Sequence, residues 1–142
     1  MRKIPHVGVG VVIKKKDKIL LLKRKNVHGD GFWSTPGGHL EFGENPFECA
    51  IRETKEETGV NIVNVMFLGI TNDIFKDDEK HYITIWMKGQ YLNGEPEIKA
   101  DYEMSEVGWF DLSELPEHLF LSFEKLLNGD IYRSSNKNNN IL

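Results

Sequence analysis

Glu53, Glu56 and Glu57 are the side chains of this sequence whose type and spacing could do chemistry together. Separations of three and four residues put all three on one face of a helix. Like charges so placed repel by roughly 0.2–0.5 kcal/mol per pair in an isolated helix, and a divalent cation would reverse that penalty. Dense oxygen ligands suit a hard ion such as Mg²⁺ or Mn²⁺, which keeps part of its water shell and is shared with substrate phosphates. Such an ion neutralises phosphate oxygens and acidifies a bound water, so that a carboxylate completes the deprotonation at neutral pH. Taken alone, a Glu-rich helix face more often means solubility than a site. The surrounding pattern decides.

The segment that must carry these acids has unambiguous ends. Asn45 can cap, Pro46 fits the first helical position, and Glu48 stands where a capping-box acid reaches back. Gly59 supplies a left-handed stop. Phe47, Ala50, Ile51, Thr54 and Thr58 recur at three and four, which predicts the packing face.

Upstream, residues 7–13 and 19–22 are apolar runs around the turn 14–18, which predicts a β-hairpin. Residues 26–31 form a loop, 32–34 a short strand, and the Thr35-Pro36-Gly37-Gly38 stretch is irregular. Downstream, strands are predicted at 62–70, 81–92 and 107–110, the second central because both its faces are largely apolar. A turn falls at 93–96 and an amphipathic helix at 117–127, ended near Asn128-Gly129. This order implies an α/β (α+β) fold, a mixed β-sheet sandwiched between helices. One domain is expected over 1–133, followed by a polar, flexible tail at 134–142.

A chain of 142 residues, 39% hydrophobic and 28% charged, fits one soluble globular domain. No apolar run approaches the roughly 18–20 residues of a membrane span, and Met1-Arg2-Lys3-Ile4-Pro5 lacks a signal-peptide core, so no membrane partner and a cytoplasmic location are expected. Cys49 stands alone and reads as a packing residue. A net charge of −4 gives no general attraction to a nucleic-acid polymer, although the run Lys23-Arg24-Lys25 could supply a local phosphate contact.

Gly38, five residues, Glu44, seven residues, Arg52-Glu53, two residues, Glu56-Glu57, one residue and Gly59-Val60 resembles the Nudix signature at every charged and glycine position. Thr54 departs from it, standing where the family usually has an aliphatic residue. The resemblance implies that Glu53, Glu56 and Glu57 hold Mg²⁺, with Mn²⁺ as a substitute. It makes Glu53 the candidate general base, Arg52 the residue that orients the acids, and Glu44 a support. Gly37 and Gly38 would bring backbone carbonyl and amide groups to metal and phosphate. A further metal ligand from outside the box is expected at Glu103, with Glu106 and then Asp101 as rivals.

Beyond the box, residues 32–44 and 81–84 look similar to the MutT-like and thiopurine-nucleotide-hydrolysing branch. That branch converts nucleoside triphosphates to monophosphate and pyrophosphate. On this resemblance Ser34, Thr35 and Thr84 lie near the base, Phe120 or Phe123 covers it, and Arg24 meets phosphate. The proline expected about fifteen residues after the box in ADP-ribose hydrolases is replaced by Phe75 and its neighbours, which argues against that branch. Competing readings are a hydrolase of a nucleotide sugar or dinucleotide and a nucleotide-sensing module. The partner implied is a small-molecule nucleotide; homodimerisation is common in the branch, and the apolar first strand offers a surface for it.

Overall fold

A computed structural model describes residues 2–133 and 142; the tail expected at 134–142 lies, apart from Leu142, outside the described residues. The elements are β1 (His6–Lys15), β2 (Lys18–Arg24), β3 (Trp33–Ser34), β4 (Gly37–His39), α1 (Pro46–Thr58), β5 (Asn61–Phe75), β6 (Lys80–Asn93), β7 (Met104–Asp111) and α2 (Leu121–Leu127). The strands form a sheet with the path β3-β2-β1-β6-β5, to which β4 adds on β1 and β7 on β2. β1 runs parallel to β6, from His6 opposite Tyr82 to Lys14 opposite Gln90. The other pairings between these strands are antiparallel, so the sheet is mixed, and β6 is interior as its two apolar faces predict.

Strand alternation divides the core between the helices. Val9, Val11, Ile13 and Leu20 pack with Cys49 and Ala50 of α1, whereas Val12, Ile19, Leu21 and Trp86 pack with Phe123 and Leu126 of α2. Each face of the sheet is therefore covered by one helix, which is why β1 and β2 read as continuous apolar runs. The strand expected to serve a second copy, β1, is inside the sheet with Val9 to Ile13 already covered by this chain. Among the described residues no helix is long and apolar enough to cross a membrane.

α1 has the predicted ends. Asn45 accepts from the Glu48 amide at 2.9 Å and the Glu48 carboxylate accepts from the Asn45 amide at 3.1 Å. Gly59 adopts φ 77° and donates its amide to Lys55. The buried face is turned from the predicted one: it holds Cys49, Ala50, Thr54, Glu57 and Thr58, while Phe47 and Ile51 remain 46% exposed. Small side chains at 49 and 50 let the helix approach the sheet, and that rotation carries Glu57 inward.

Three further expectations change. Gly37 and Gly38, read as irregular, join His39 in β4 against Gly8 to Gly10, because Gly37 admits an approach in which a Cβ would lie 2.2 Å from the Val9 carbonyl oxygen. β5 continues to Phe75, past the predicted end at 70, held by pairing with β6 throughout. Residues 117–120 are not helical: Trp33 donates its amide to the His118 carbonyl and accepts from the Phe120 amide, both at 2.8 Å, so the backbone pairs with β3 before α2 begins.

Asn45→Ala removes the side chain that closes the first turn of α1 and should lower unfolding free energy by about 1 kcal/mol. Urea denaturation followed by far-UV circular dichroism checks this; an unshifted midpoint would mean that packing alone holds the helix start.

Candidate functional site

The Gly37-Gly38 corner and α1 meet at the floor of a cleft of about 320 Å³. Gly37 donates its amide to Glu57 Oε1 at 2.8 Å. A Cβ on Gly38 would stand 2.5 Å from the Glu53 carboxyl carbon, so glycine here leaves room for that acid. Both glycines serve close approach rather than an unusual φ.

The three acids of α1 divide into two environments. Glu53 and Glu57 are largely buried, their side chains on the face toward the glycine corner, whereas the Glu56 side chain is 59% exposed. At about 100° per residue, Glu56 and Glu57 fall on opposite flanks of the face centred on Glu53, and the helix is rotated so that the Glu57 flank turns inward and the Glu56 flank toward solvent. Among the described residues no three His, Cys, Asp or Glu side chains stand close enough together to hold a metal ion. Glu53 and Glu56 both accept from Arg52 Nη1, at 2.8 and 3.1 Å, and each bond uses one carboxylate oxygen.

Arg52 is the hub. It also donates from Nε and Nη2 to the two oxygens of Glu44, at 2.6 and 3.0 Å, and from Nη2 to the His39 carbonyl. This fork holds Glu44 down at about 2 and raises Arg52 itself. Glu44 also accepts from the Glu41 amide at 3.1 Å, tying the loop before α1 to the same pair. Cys49 is fully buried beside this group, and burial pushes its thiol up to about 12, consistent with packing.

Burial pushes the Glu57 carboxyl up to about 8 against the Gly37 hydrogen bond, with the charges of Glu53 and Glu103 acting the same way. Burial also raises Glu53, opposed by Arg52. Arg24 faces Glu57 and Glu103 electrostatically; burial lowers its pKa, and the two acids offset only part of that. Its Nε donates to the His28 carbonyl at 2.6 Å and its guanidinium lies 4.3 Å from the Phe120 ring centre. Burial raises both Glu53 and Glu57, and the charges of Glu53 and Glu103 raise Glu57 further, so these carboxylates are short of positive charge; their oxygen chemistry fits a hard divalent cation such as Mg²⁺ or Mn²⁺, although as placed they do not close around one.

Of the other expected residues, Gly37, Gly38, Glu103, Ser34, Thr35, Thr84 and Phe120 line the cleft with Arg24 and Glu57. Glu106 instead pairs with Lys23 at 3.4 Å, and Asp101 is exposed away from the cleft lining. Phe123 also borders the cleft, but it is fully buried against Trp86 in the core, which leaves Phe120 as the aromatic ring available to cover a base.

Sequence reading missed His28, Asp73, Phe75 and Tyr82, which line the same cleft. His28, Phe75 and Phe120 form an aromatic group, with ring centres 4.1 Å apart for His28 and Phe75 and 5.2 Å for Phe75 and Phe120. Asp73 is fully buried; its Oδ2 accepts from Thr84 at 2.6 Å and Thr71 at 3.2 Å, and burial raises its pKa against those two bonds. Asp73 Oδ1 and Ser34 Oγ are buried without a partner among the described residues. The missed signal was the alternation Thr71, Asp73, Phe75, which places an acid at an inward strand position.

A family model described as the NUDIX domain matches residues 4–127. The chain is similar to a protein named ADP-ribose pyrophosphatase from Methanocaldococcus jannaschii, at 38% identity over 87% of this chain and 71% of that one. It is also similar to a protein named NAD-capped RNA hydrolase NudC from Vibrio atlanticus, at 32% identity over 75% of this chain; there the match spans only 38% of the relative's length. Among solved structures, a MutT NUDIX hydrolase from Burkholderia pseudomallei superposes with a TM-score of 0.81 at 29% identity, covering 87% of this chain and 97% of that one.

Because its folded-state pKa is raised above the unfolded value, Glu57 contributes stability that is complete below about pH 4.3 and lost as pH rises through about 8. In chelator the melting temperature should fall over that window, and Mg²⁺ should restore it. Glu57→Gln should flatten the fall; a variant that keeps the full slope would place its origin elsewhere.

Proposed function

The chain belongs to the Nudix family, and on that premise we propose that it is a metal-dependent hydrolase of the pyrophosphate linkage in a nucleoside diphosphate bonded to a further group. The observation that carries this reading is the pair Glu53 and Glu57 against the Gly37-Gly38 corner, beside a cleft lined by Glu57, both glycines, Arg24 and an aromatic group. Glu53, Glu57 and Glu103, with Glu56 and the Gly37 carbonyl, would hold Mg²⁺, with Mn²⁺ as a substitute. The ion supplies positive charge to the phosphate oxygens and acidifies the attacking water.

The chain's own residues divide the remaining work. Glu53, raised by burial, takes the proton as water oxygen bonds to phosphorus and the bridging oxygen departs with the second phosphate. Arg52 holds Glu53 in place through Nη1 and is itself fixed by the two-pronged pair with Glu44. Arg24 places a cation in the cleft for phosphate, and Phe120 offers a ring for the base, with Thr84, Thr35 and Ser34 as polar neighbours.

ADP-ribose is the first substrate to test, since a relative of 38% identity is named for it. That similarity outweighs the missing proline near Phe75. Nucleoside triphosphates, split to monophosphate and pyrophosphate, are the second reading, favoured by the MutT-like segments 32–44 and 81–84.

The full chain with Mg²⁺ should hydrolyse at least one member of a panel of ADP-ribose, nucleotide sugars, dinucleotides and nucleoside triphosphates, with products identified by phosphorus NMR. Glu53→Gln and Glu57→Gln should each lower kcat by about 100-fold or more with the circular dichroism spectrum unchanged. Wild-type turnover in both variants would sink this mechanism.

A further inference from the structure

Under the aromatic end of the cleft, four polar groups form a chain that ends on a buried acid. The Trp86 indole N–H can only donate, and it donates to Thr71 Oγ1 at 2.9 Å. Thr71 keeps its own proton free to give, and gives it to Asp73 Oδ2, at 3.2 Å. Thr84 gives its proton to the same oxygen, at 2.6 Å. Both directions hold whenever Oδ2 carries no proton, that is, for the carboxylate and equally for an acid protonated on Oδ1.

The consequence falls on Thr84, which lines the cleft and is 8% exposed. A hydroxyl has one proton, and this one is committed to a fully buried acid. Toward the cleft Thr84 can offer only lone pairs. Ser34, in the same lining, has a buried Oγ without a partner among the described residues.

Resting on the nucleotide reading above, we propose that Asp73 is a positioning residue for base selection: by holding the Thr84 proton it fixes Thr84 as an acceptor, so the site prefers a 6-amino purine or 4-amino pyrimidine over the corresponding oxo base. An amino N–H satisfies the threonine oxygen. A carbonyl in its place sets two acceptors against each other, leaving both unpaired once the base excludes water from between them. Adenine and cytosine nucleotides are the class selected, and hypoxanthine and uracil nucleotides the class rejected.

Equilibrium binding separates this inference from the catalytic one. Dissociation constants of the full chain for AMP against IMP, and for CMP against UMP, compare amino with oxo at one position and need no turnover. Calorimetry with Mg²⁺ present should show AMP over IMP and CMP over UMP, each by about tenfold or more. Thr84→Val removes the oxygen and should bring both ratios close to one. Asp73→Leu removes the acceptor, releases the Thr84 proton toward the cleft, and should likewise erase or reverse the ratios. A merely structural role for Asp73 would weaken all four ligands alike and leave the ratios standing.

Equal wild-type affinities, tighter binding of the oxo bases, no binding of any of the four, or a full ratio retained in Asp73→Leu would each overturn the inference. If Asp73→Leu fails to fold, the wild-type ratios together with Thr84→Val decide. A chain that shows the ratios but hydrolyses nothing in the panel would sink the proposed function and leave base selection intact.

Discussion

The hydrogen bond from the Gly37 amide to Glu57 is the contact on which the site depends. It joins a strand one residue wide in side-chain terms, β4, to the inward face of α1, and it needs three conditions at once. Gly37 must lie against the Val9 carbonyl more closely than any Cβ allows, Gly38 must leave room for Glu53, and α1 must be rotated so that position 57 faces the sheet. Small residues at 49 and 50 permit that rotation. The same rotation leaves Phe47 and Ile51 half exposed, so the helix gives up some apolar burial while bringing an acid inward.

Burying acids requires compensation, and the chain divides it between two partners. Arg52 takes Glu44, Glu53 and Glu56 through one guanidinium, which is why Glu44 is held low while Arg52 is raised. Glu57 has a single backbone donor and the more distant Arg24, and burial wins over both. A site whose acids are short of positive charge is suited to a divalent cation and, through it, to phosphate. Arg24 links this charged end to the aromatic end, because its guanidinium also lies over Phe120.

The aromatic end is built on the hairpin of β5 and β6. β5 and β6 stay in antiparallel register from Ile70 opposite Ile85 to Phe75 opposite Lys80, which sets Asp73 beside Tyr82 and Thr71 beside Thr84. Trp86 reaches Thr71 across that register, and Gly10 of β1 admits the indole where a Cβ would lie 2.6 Å from the ring. Polar direction in the cleft floor thus traces back to a tryptophan and a glycine on two neighbouring parallel strands.

What the sequence determined by itself is local. Asn45, Pro46, Glu48 and Gly59 specify the ends of α1 because capping acts within a turn, and the runs in β1, β2 and β6 specify buried strands because alternation and β-branching act along one segment. The spacing of Arg52, Glu53, Glu56 and Glu57 carried the chemical class for the same reason. Tertiary structure decided the rest. Which of three acids face inward, Glu103 rather than Glu106 at the cleft, the conversion of Gly37 and Gly38 into a strand, and the shortening of α2 by pairing with Trp33 all depend on neighbours distant in sequence. Asp73 shows the division most clearly: its alternation with Thr71 and Phe75 was readable, but its partners Thr84 and Trp86 come from another strand, and only their approach gives the buried acid a direction.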